Sequence, residues 1–371
     1  MIRSLVAVGA AVLVAVSVSG AAEQPPAPIG TAMPDPHFGT VRSGPFSPAS
    51  VRAHYRPLGP EAPAWARRLY RRSVRVLTAL TDPRSGALIA GERDGWDDVW
   101  PRDAAAGAIA LQAAGLRPEA RRVVAFLSNL DLEAAARFHP DGSRVPARPA
   151  AGDGEGWVAA AERAITGGGD GTVLPNGSYG PQIQDSPPES PDHEGYDWRG
   201  RQDYGENVTG DLLGNAIAAG APPSEIKGRF LTPRGLVRED GSEELDSAAA
   251  WVVTIFPSRG TPSTASIGLR GAVAQTLLDL TGESTPYGIP PMEGWTPGEA
   301  WTAPTAWSAW ALAELGRKRA ADRLLVELHR AETPQGTLPE RVDAWTGAPT
   351  STTPLAWSHA FAIMALRARY G

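Results

Sequence analysis

The sequence predicts an all-α fold in which paired helices are joined by loops of very unequal length. Apolar residues recur at helical spacing over most of the chain after its Pro-rich N-terminal region. Strand patterns do not alternate with helical ones, and convincing β-hairpin signals are absent from the sequence. No clear internal repeat is present, which argues against a solenoid.

Helical spacing predicts the first three helices. The first carries Trp65, Leu69, Ser73, Val76 and Leu80, and Asp82-Pro83 ends it. The second is expected to run from Pro101 to near Gly115, and the third to open at Pro118.

The middle of the chain is expected to be mostly loop. Residues 139–208 are dominated by Gly, Pro, Asp and Ser, and only Glu155 to Ile165 has a helical pattern there. A stretch of this length is typical of a functional loop or of disorder. Helical patterns return at 209–220, 246–256, 263–281, 302–316, 318–330 and 355–369. Thr302 or Thr305 is expected to cap the helix near 302, and Gly316 to follow its C-terminus.

The N-terminal region predicts export. Arg3 is followed by an uncharged apolar run, Leu5 to Val18, and then by small residues suited to cleavage. We expect a cleaved signal peptide at 1–22, a Pro-rich linker or strap at 23–60 and a helical domain at 61–371; an uncleaved anchor is the alternative. The mature protein is expected to be secreted or retained in the cell envelope, without membrane attachment.

Charge and composition limit the classes of partner and ligand that this chain is expected to bind. The net charge of −6 argues against nucleic acid, and zero cysteines exclude disulfides and thiolate metal sites. The six histidines lack ligand spacing, so no metal or other cofactor is expected, although Asp94, Asp97 and Asp98 are a possible Ca²⁺ set. Trp (12) outnumbers Tyr (7) and Phe (7), which suits either sugar rings or helix interfaces. The oligomeric state stays open.

Two segments carry candidate chemistry. Val99-Trp100-Pro101-Arg102-Asp103-Ala104 places an aromatic, a cation and a carboxylate at a helix start, where an ordinary helix N-terminus is the alternative. Leu338-Pro339-Glu340 begins a second segment that continues to Pro354-Leu355-Ala356-Trp357-Ser358-His359. Alone, its carboxylates also fit a solvated turn.

Together these segments resemble the glucoamylase family of glycoside hydrolases, a six-hairpin family that includes glucodextranase. The segments Leu245-Asp246-Ser247-Ala248 and Phe138-His139-Pro140-Asp141-Gly142-Ser143 are similar to it less specifically. The resemblance implies an (α/α)6 barrel and inverting hydrolysis of α-glucosides from non-reducing ends, on an oligosaccharide or polysaccharide substrate. It implies Glu340 as the general base.

The resemblance also implies substrate-binding residues. Arg102 and Asp103 are expected at the hydroxyls of the terminal sugar. The other residues expected at the substrate are Trp100, Trp198, Arg199, Arg341 and Trp357. The family has Gln after its base, whereas Arg341 stands here and is expected to favour the ionised form of Glu340.

The general acid departs from the family pattern. The family has a Glu directly after a Trp in mid-chain, but Trp198 is followed by Arg199, which stays protonated. Glu206 or Asp203 is the candidate acid, and Asp197 and Glu194 are further candidates. Two alternatives therefore stay open: a sugar-binding relative with little catalysis, and a six-hairpin enzyme for uronic or modified sugars, whose carboxylate Arg199 and Arg201 would meet.

Overall fold

The computed structural model describes residues 56–92, 96–145, 153–166, 212–256, 264–295 and 297–371. The predicted signal peptide and most of the predicted linker lie outside these residues. Within them, no helix has both the length and the apolar character needed to cross a membrane.

The described residues form mainly α-helices, which confirms the predicted all-α class. The helices are α1 (Ala64–Ala79), α2 (Pro101–Ala113), α3 (Arg117–Leu127), α4 (Gly154–Thr166), α5 (Leu213–Ala218), α6 (Pro223–Phe230), α7 (Thr264–Gly282), α8 (Thr302–Glu314), α9 (Lys318–Arg330) and α10 (Ala356–Tyr370). A 3₁₀ helix spans Ser247–Val252, and two short strands are β1 (Glu299–Trp301) and β2 (Arg341–Asp343).

Helices buried on nearly all sides alternate with amphipathic ones. The Ala-rich sequences of α2, α8 and α10 leave few exposed positions. By contrast, α1, α3 and α9 bury one apolar stripe and expose charged residues on the other face. This contrast separates inner helices from outer ones.

The inner elements contact one another in a closed cycle. Contacts link α2 to α4, α5 to the 3₁₀ helix, the 3₁₀ helix to α8, α8 to α10, and α10 back to α2. The remaining link, between α4 and α5, is a close backbone approach. A Cβ added to Gly156 would lie 2.0 Å from the carbonyl oxygen of Ala218, so only glycine permits this approach.

The described end of the Pro-rich region packs on this helical domain. The backbone N–H of Arg56 donates to the Ala114 carbonyl (2.8 Å) and that of Gly59 to the Tyr370 carbonyl (2.6 Å). Leu58 between them is buried in the core. Residues 56–59 thus bind the C-terminal ends of α2 and α10.

The predicted cap of α8 is wrong. Trp301 precedes this helix, and no side chain caps it. The Thr302 hydroxyl instead donates to the Pro339 carbonyl (2.5 Å), and the Thr305 hydroxyl to the Trp301 carbonyl (2.7 Å). The prediction for Gly316 is confirmed, since its φ of 72° is the left-handed conformation that glycine favours after a helix.

Three further elements differ from the sequence prediction. The pattern at 246–256 forms only the short 3₁₀ helix, and α6 was not predicted. The antiparallel pair of β1 and β2 was not predicted either, because each strand is three residues long and their partners are far apart in sequence. Its register pairs Trp301 with Arg341 and Glu299 with Asp343, so these four half-buried side chains share one face, opposite buried Ala300 and Val342.

Candidate active site

The N-terminal ends of the inner helices carry four of the predicted site residues that the structure describes. Trp100 immediately precedes α2, and Arg102 and Asp103 lie in its first turn. Trp357 lies in the first turn of α10. Glu340 contacts this end through its backbone, because its carbonyl accepts from the N–H of Thr302, the first residue of α8 (3.1 Å).

The segment around Glu340 is fixed by backbone and hydroxyl hydrogen bonds. The N–H of Glu340 donates to the Thr352 carbonyl (3.0 Å), and that of Leu355 to the Leu338 carbonyl (3.0 Å). The Ser358 hydroxyl also donates to the Pro339 carbonyl (3.2 Å). Hydrogen bonds therefore join the start of this loop to its end, directly before α10.

A buried histidine anchors the start of this loop. The backbone N–H of Leu338 donates to Nε2 of His359 (3.0 Å), and Nδ1 of His359 lies 2.9 Å from the Ser73 hydroxyl in α1. Because Nε2 accepts, the ring proton is on Nδ1 and is donated to Ser73. Burial lowers the pKa of His359 from 6.5 to about 3, with a smaller contribution from Arg72. The imidazole is therefore neutral at physiological pH.

The Glu340 carboxylate is mostly buried and lies beside a cation. Its side chain is 13% exposed, and Oε2 accepts a hydrogen bond from the Ser351 hydroxyl. Nε of Arg341 lies 4.0 Å from the same oxygen, while Nη1 of Arg341 lies 3.0 Å from Oε1 of Glu299. Glu299 also accepts from the indole N–H of Trp301 (3.3 Å). One guanidinium thus contacts two carboxylates.

Arg102 is buried in an ion pair that the sequence did not reveal. Its Nη1 donates to Oδ2 of Asp153 (3.1 Å), and its Nε lies 4.0 Å from Oδ2 of Asp103. The guanidinium carbon is 4.4 Å from the ring centroid of Trp357, a cation–π contact that joins the two motifs in space. Asp153 directly precedes α4; the only sequence signal for it is an Asp before a helical pattern.

A second buried Arg–Asp pair lies at the start of the 3₁₀ helix. Oδ1 of Asp246 accepts from the N–H of Ala248 (2.7 Å), which caps this helix. Nη1 of Arg238 lies 3.9 Å from Oδ2 of Asp246, and both residues are buried. The family-like segment Leu245-Asp246-Ser247-Ala248 thus has a structural role at the same end of an inner element as Asp103 and Asp153.

Trp100 is packed within the protein. It is 4% exposed, and its ring is stacked on Trp96 with centroids 5.5 Å apart. The guanidinium of Arg137 lies 5.7 Å from the Trp100 ring and 3.7 Å from Asp98. Asp98 also contacts Nδ1 of His139 (3.0 Å). This carboxylate, one of the three in the Ca²⁺ set that the sequence suggested, therefore has partners within the protein.

Tryptophans from four inner elements meet beneath Arg102. Trp157 contacts the rings of Trp251 (5.1 Å) and Trp357 (5.8 Å), and Trp307 contacts the ring of Trp251 (5.4 Å), largely edge to face. All of them are buried. These four tryptophans pack the helices together, which agrees with the interpretation that tryptophans fill helix interfaces.

Part of the predicted site lies outside the described residues. This applies to Trp198, Arg199, Asp203 and Glu206, and also to Asp197, Glu194 and Asp94. Among the residues that are described, no group of three or more His, Cys, Asp or Glu is arranged to hold a metal ion.

The fold is similar to those of solved glycosidase structures. A wild-type glycosidase superposes with a TM-score of 0.60 at 20% identity, over 82% of this chain and 97% of the other. A bacterial glucoamylase in complex with acarbose gives 0.60 at 16% identity, over 81% of this chain and 55% of the other. The glucoamylase from Saccharomycopsis fibuligera gives 0.56 at 15%, over 84% and 96%.

This is a glucoamylase-type fold. No protein-family model matches the chain, and no curated protein matches its sequence. At identities of 15–20% the similarity establishes the fold, and the chemistry has to be argued from the residues.

Proposed function

We propose that this chain is an exported glycoside hydrolase that releases glucose from the non-reducing ends of α-linked glucosides with inversion. The observation that carries the proposal is Glu340, a mostly buried carboxylate on a tightly hydrogen-bonded loop. It lies at the end of the helical domain where Arg102 and Trp357 join the two sequence motifs.

The closed cycle of inner helices supports a six-hairpin (α/α)6 barrel. The inner elements are α2, α4, α5, the 3₁₀ helix, α8 and α10, and the amphipathic helices α1, α3 and α9 precede α2, α4 and α10 along the chain. In this architecture the loops at one end of the inner helices form the active site. The N-terminal ends that carry Asp103, Asp153 and Asp246 are that end.

Glu340 acts as the general base in this proposal. It accepts a proton from a water molecule, whose oxygen attacks the anomeric carbon while the bond to the leaving oxygen breaks. The positive charge of Arg341 favours the ionised form that a base requires.

The leaving oxygen needs a proton from a second carboxyl group. In inverting glycosidases the two groups lie roughly 6.5–9.5 Å apart, which leaves room for the attacking water. Glu206 or Asp203 is our candidate, because both follow Trp198 within a few residues. Substituting each by its amide identifies the acid: the correct variant still hydrolyses activated aryl glucosides, whose leaving groups need little protonation.

Arg102 and Asp103 are assigned to the hydroxyls of the terminal glucose. Asp153 holds the Arg102 guanidinium from one side, and the Trp357 ring lies against it. Such a braced cation presents its donors in a fixed direction, which favours the orientation of one sugar ring over others.

Glucose release from maltose, isomaltose, trehalose and short maltodextrins tests this function. Proton NMR during the first turnovers identifies the anomer, and β-glucose as the initial product is expected for inversion. Initial α-glucose contradicts the inverting mechanism, and no release from any substrate contradicts the hydrolase.

One alternative has a specific motive, namely Arg199 at the position where the family has its acid. A sugar-binding relative with little catalysis would bind these glucosides without releasing glucose. Calorimetric binding of maltodextrins in the absence of turnover is the result that would favour it.

A further inference from the structure

Trp345 is the most exposed large hydrophobic residue in the described part of the chain. Trp345 is 74% exposed, whereas Leu278, the next most exposed large hydrophobic residue among those described, is 37% exposed. The tryptophans of the inner helices are buried, so Trp345 does not belong to that packing. An indole held in solvent offers a flat apolar face with a polar N–H at its edge, which suits a ligand that has one apolar face.

The backbone that carries Trp345 is rigid. Oδ1 of Asp343 accepts from the N–H groups of Trp345 (3.1 Å) and Thr346 (2.7 Å), and also from the Thr346 hydroxyl (2.7 Å). The N–H of Ala344 donates to the Gly298 carbonyl (2.9 Å), which ties the turn to the chain before β1. This turn fixes the indole at low conformational cost before any ligand arrives.

Two glycines fit the turn against its neighbours. A Cβ added to Gly298 would lie 2.5 Å from Cζ3 of Trp345, so the edge of the indole rests on the Gly298 backbone. A Cβ added to Gly347 would lie 2.3 Å from Cε1 of Tyr287, so that ring supports the turn on another side. The indole is thus supported while most of its surface faces solvent.

A polar surface connects this ring with Glu340. The half-buried face of the β1–β2 pair carries Trp301 and Arg341 next to Glu340, and Glu299 and Asp343 one step further out. Trp345 follows β2, and five residues of chain place its Cα at most about 18 Å from that of Glu340. Donors and acceptors for hydroxyl groups therefore lie between the proposed base and the indole.

We propose that Trp345 is a stacking platform for a sugar unit remote from the scissile bond, on the leaving-group side of a neutral oligosaccharide. The inference rests on the proposed function and gives a role to Trp345, a residue of the second segment to which the family resemblance assigned none. The apolar face of a pyranose ring fits the indole, and Glu299, Arg341 and Asp343 lie along the path of the intervening units. Binding energy gained there raises kcat/KM for long substrates over short ones.

The test compares Trp345→Ala, Trp345→Phe and Leu278→Ala on a series from disaccharide to heptasaccharide, in the linkage that the wild type hydrolyses. Trp345→Ala is expected to lower the ratio of kcat/KM between heptasaccharide and disaccharide about three- to tenfold, the range of one aromatic contact. Trp345→Phe, which keeps a flat ring, and Leu278→Ala are expected to retain most of the ratio. An unchanged ratio in Trp345→Ala overturns the proposal.

Binding measurements separate this proposal from the failure of the hydrolase. If the wild type releases no glucose, isothermal titration with maltodextrins of the same lengths decides: a loss of affinity in Trp345→Ala that grows with chain length supports the platform, and equal affinities overturn it. Sedimentation of the wild type and of Trp345→Ala tests whether a second copy of this chain covers the ring instead. A dimer that Trp345→Ala dissociates, together with unchanged length dependence, assigns the ring to a contact between copies and overturns the sugar site.

Discussion

Nη1 of Arg341 lies 3.0 Å from Oε1 of Glu299, across the paired strands β1 and β2. This ion pair directs part of the guanidinium away from Glu340, whose Oε2 is 4.0 Å from Nε of the same arginine. Glu299 and the proposed base therefore share one guanidinium, although sequence reasoning did not single out Glu299.

Glu299→Gln is expected to weaken the base. Without its carboxylate partner Arg341 turns toward Glu340, and a closer cation lowers the pKa of a carboxyl group. The acidic limb of the kcat/KM profile against pH should move to lower pH, and kcat at neutral pH should fall about tenfold. The Glu299→Gln/Arg341→Gln double variant is the control, because it has no cation to reposition. The same acidic limb in the single variant and the wild type would contradict this role.

Asp153→Asn is expected to destabilise the fold and to lower activity. The substitution leaves the Arg102 guanidinium buried with reduced charge compensation, and breaking a buried pair costs about 3–5 kcal/mol. Asp322→Asn is the matched control, since its partner Arg369 is more exposed and such pairs contribute roughly 0.2–1 kcal/mol. Urea unfolding of both variants measures the difference. Equal losses would show that the Arg102–Asp153 pair has no special role.

His359 is expected to make stability fall as the pH is lowered. The folded protein keeps this imidazole neutral down to about pH 3, whereas the unfolded chain binds a proton near pH 6.5. The unfolded state thus gains protons first, and the free energy of unfolding falls between these pH values by up to about 1.4 kcal/mol per unit. His359→Gln removes this dependence and retains an acceptor for the Leu338 N–H. Parallel stability curves against pH for the two proteins would contradict the assignment.

His359→Leu separates the hydrogen bond from the titration. It leaves the buried N–H of Leu338 without its acceptor, which costs about 1–3 kcal/mol. Because Leu338 begins the loop that carries Glu340, we expect this variant to lose more activity than His359→Gln at equal fractions folded. Thermal unfolding and glucose release, measured on the same samples, check the expectation.

Sequence reasoning reached the parts of the site that local patterns encode. The stretches that form α2, α8 and α10 were predicted to be helical, and the motifs around Arg102 and Glu340 are contiguous. The contact between Trp357 and Arg102 was not visible in either motif. The two residues are 255 positions apart and meet only in the folded chain, so no local sequence pattern indicates the contact.

Other site residues had little sequence signal for a physical reason. Asp153 and Glu299 act through partners distant in sequence, and neither lies in a motif. Strands of three residues show too little alternation to be recognised, so the surface that joins Glu340 to Trp345 was not predicted. Thr302 looked like a helix cap because threonine often is one, but the Pro339 carbonyl competes for its hydroxyl.

Glu340→Gln tests whether Glu340 is the general base. The amide keeps the shape of the side chain but cannot accept the proton of the attacking water, so kcat for glucose release should fall at least about 10²- to 10⁴-fold. Glu243→Gln, on an exposed carboxylate elsewhere, is the control and should match the wild type. An unfolding midpoint of Glu340→Gln within a few degrees of the wild type, with glucose release abolished, is the result this account predicts. Glucose release by folded Glu340→Gln at the wild-type rate would contradict it.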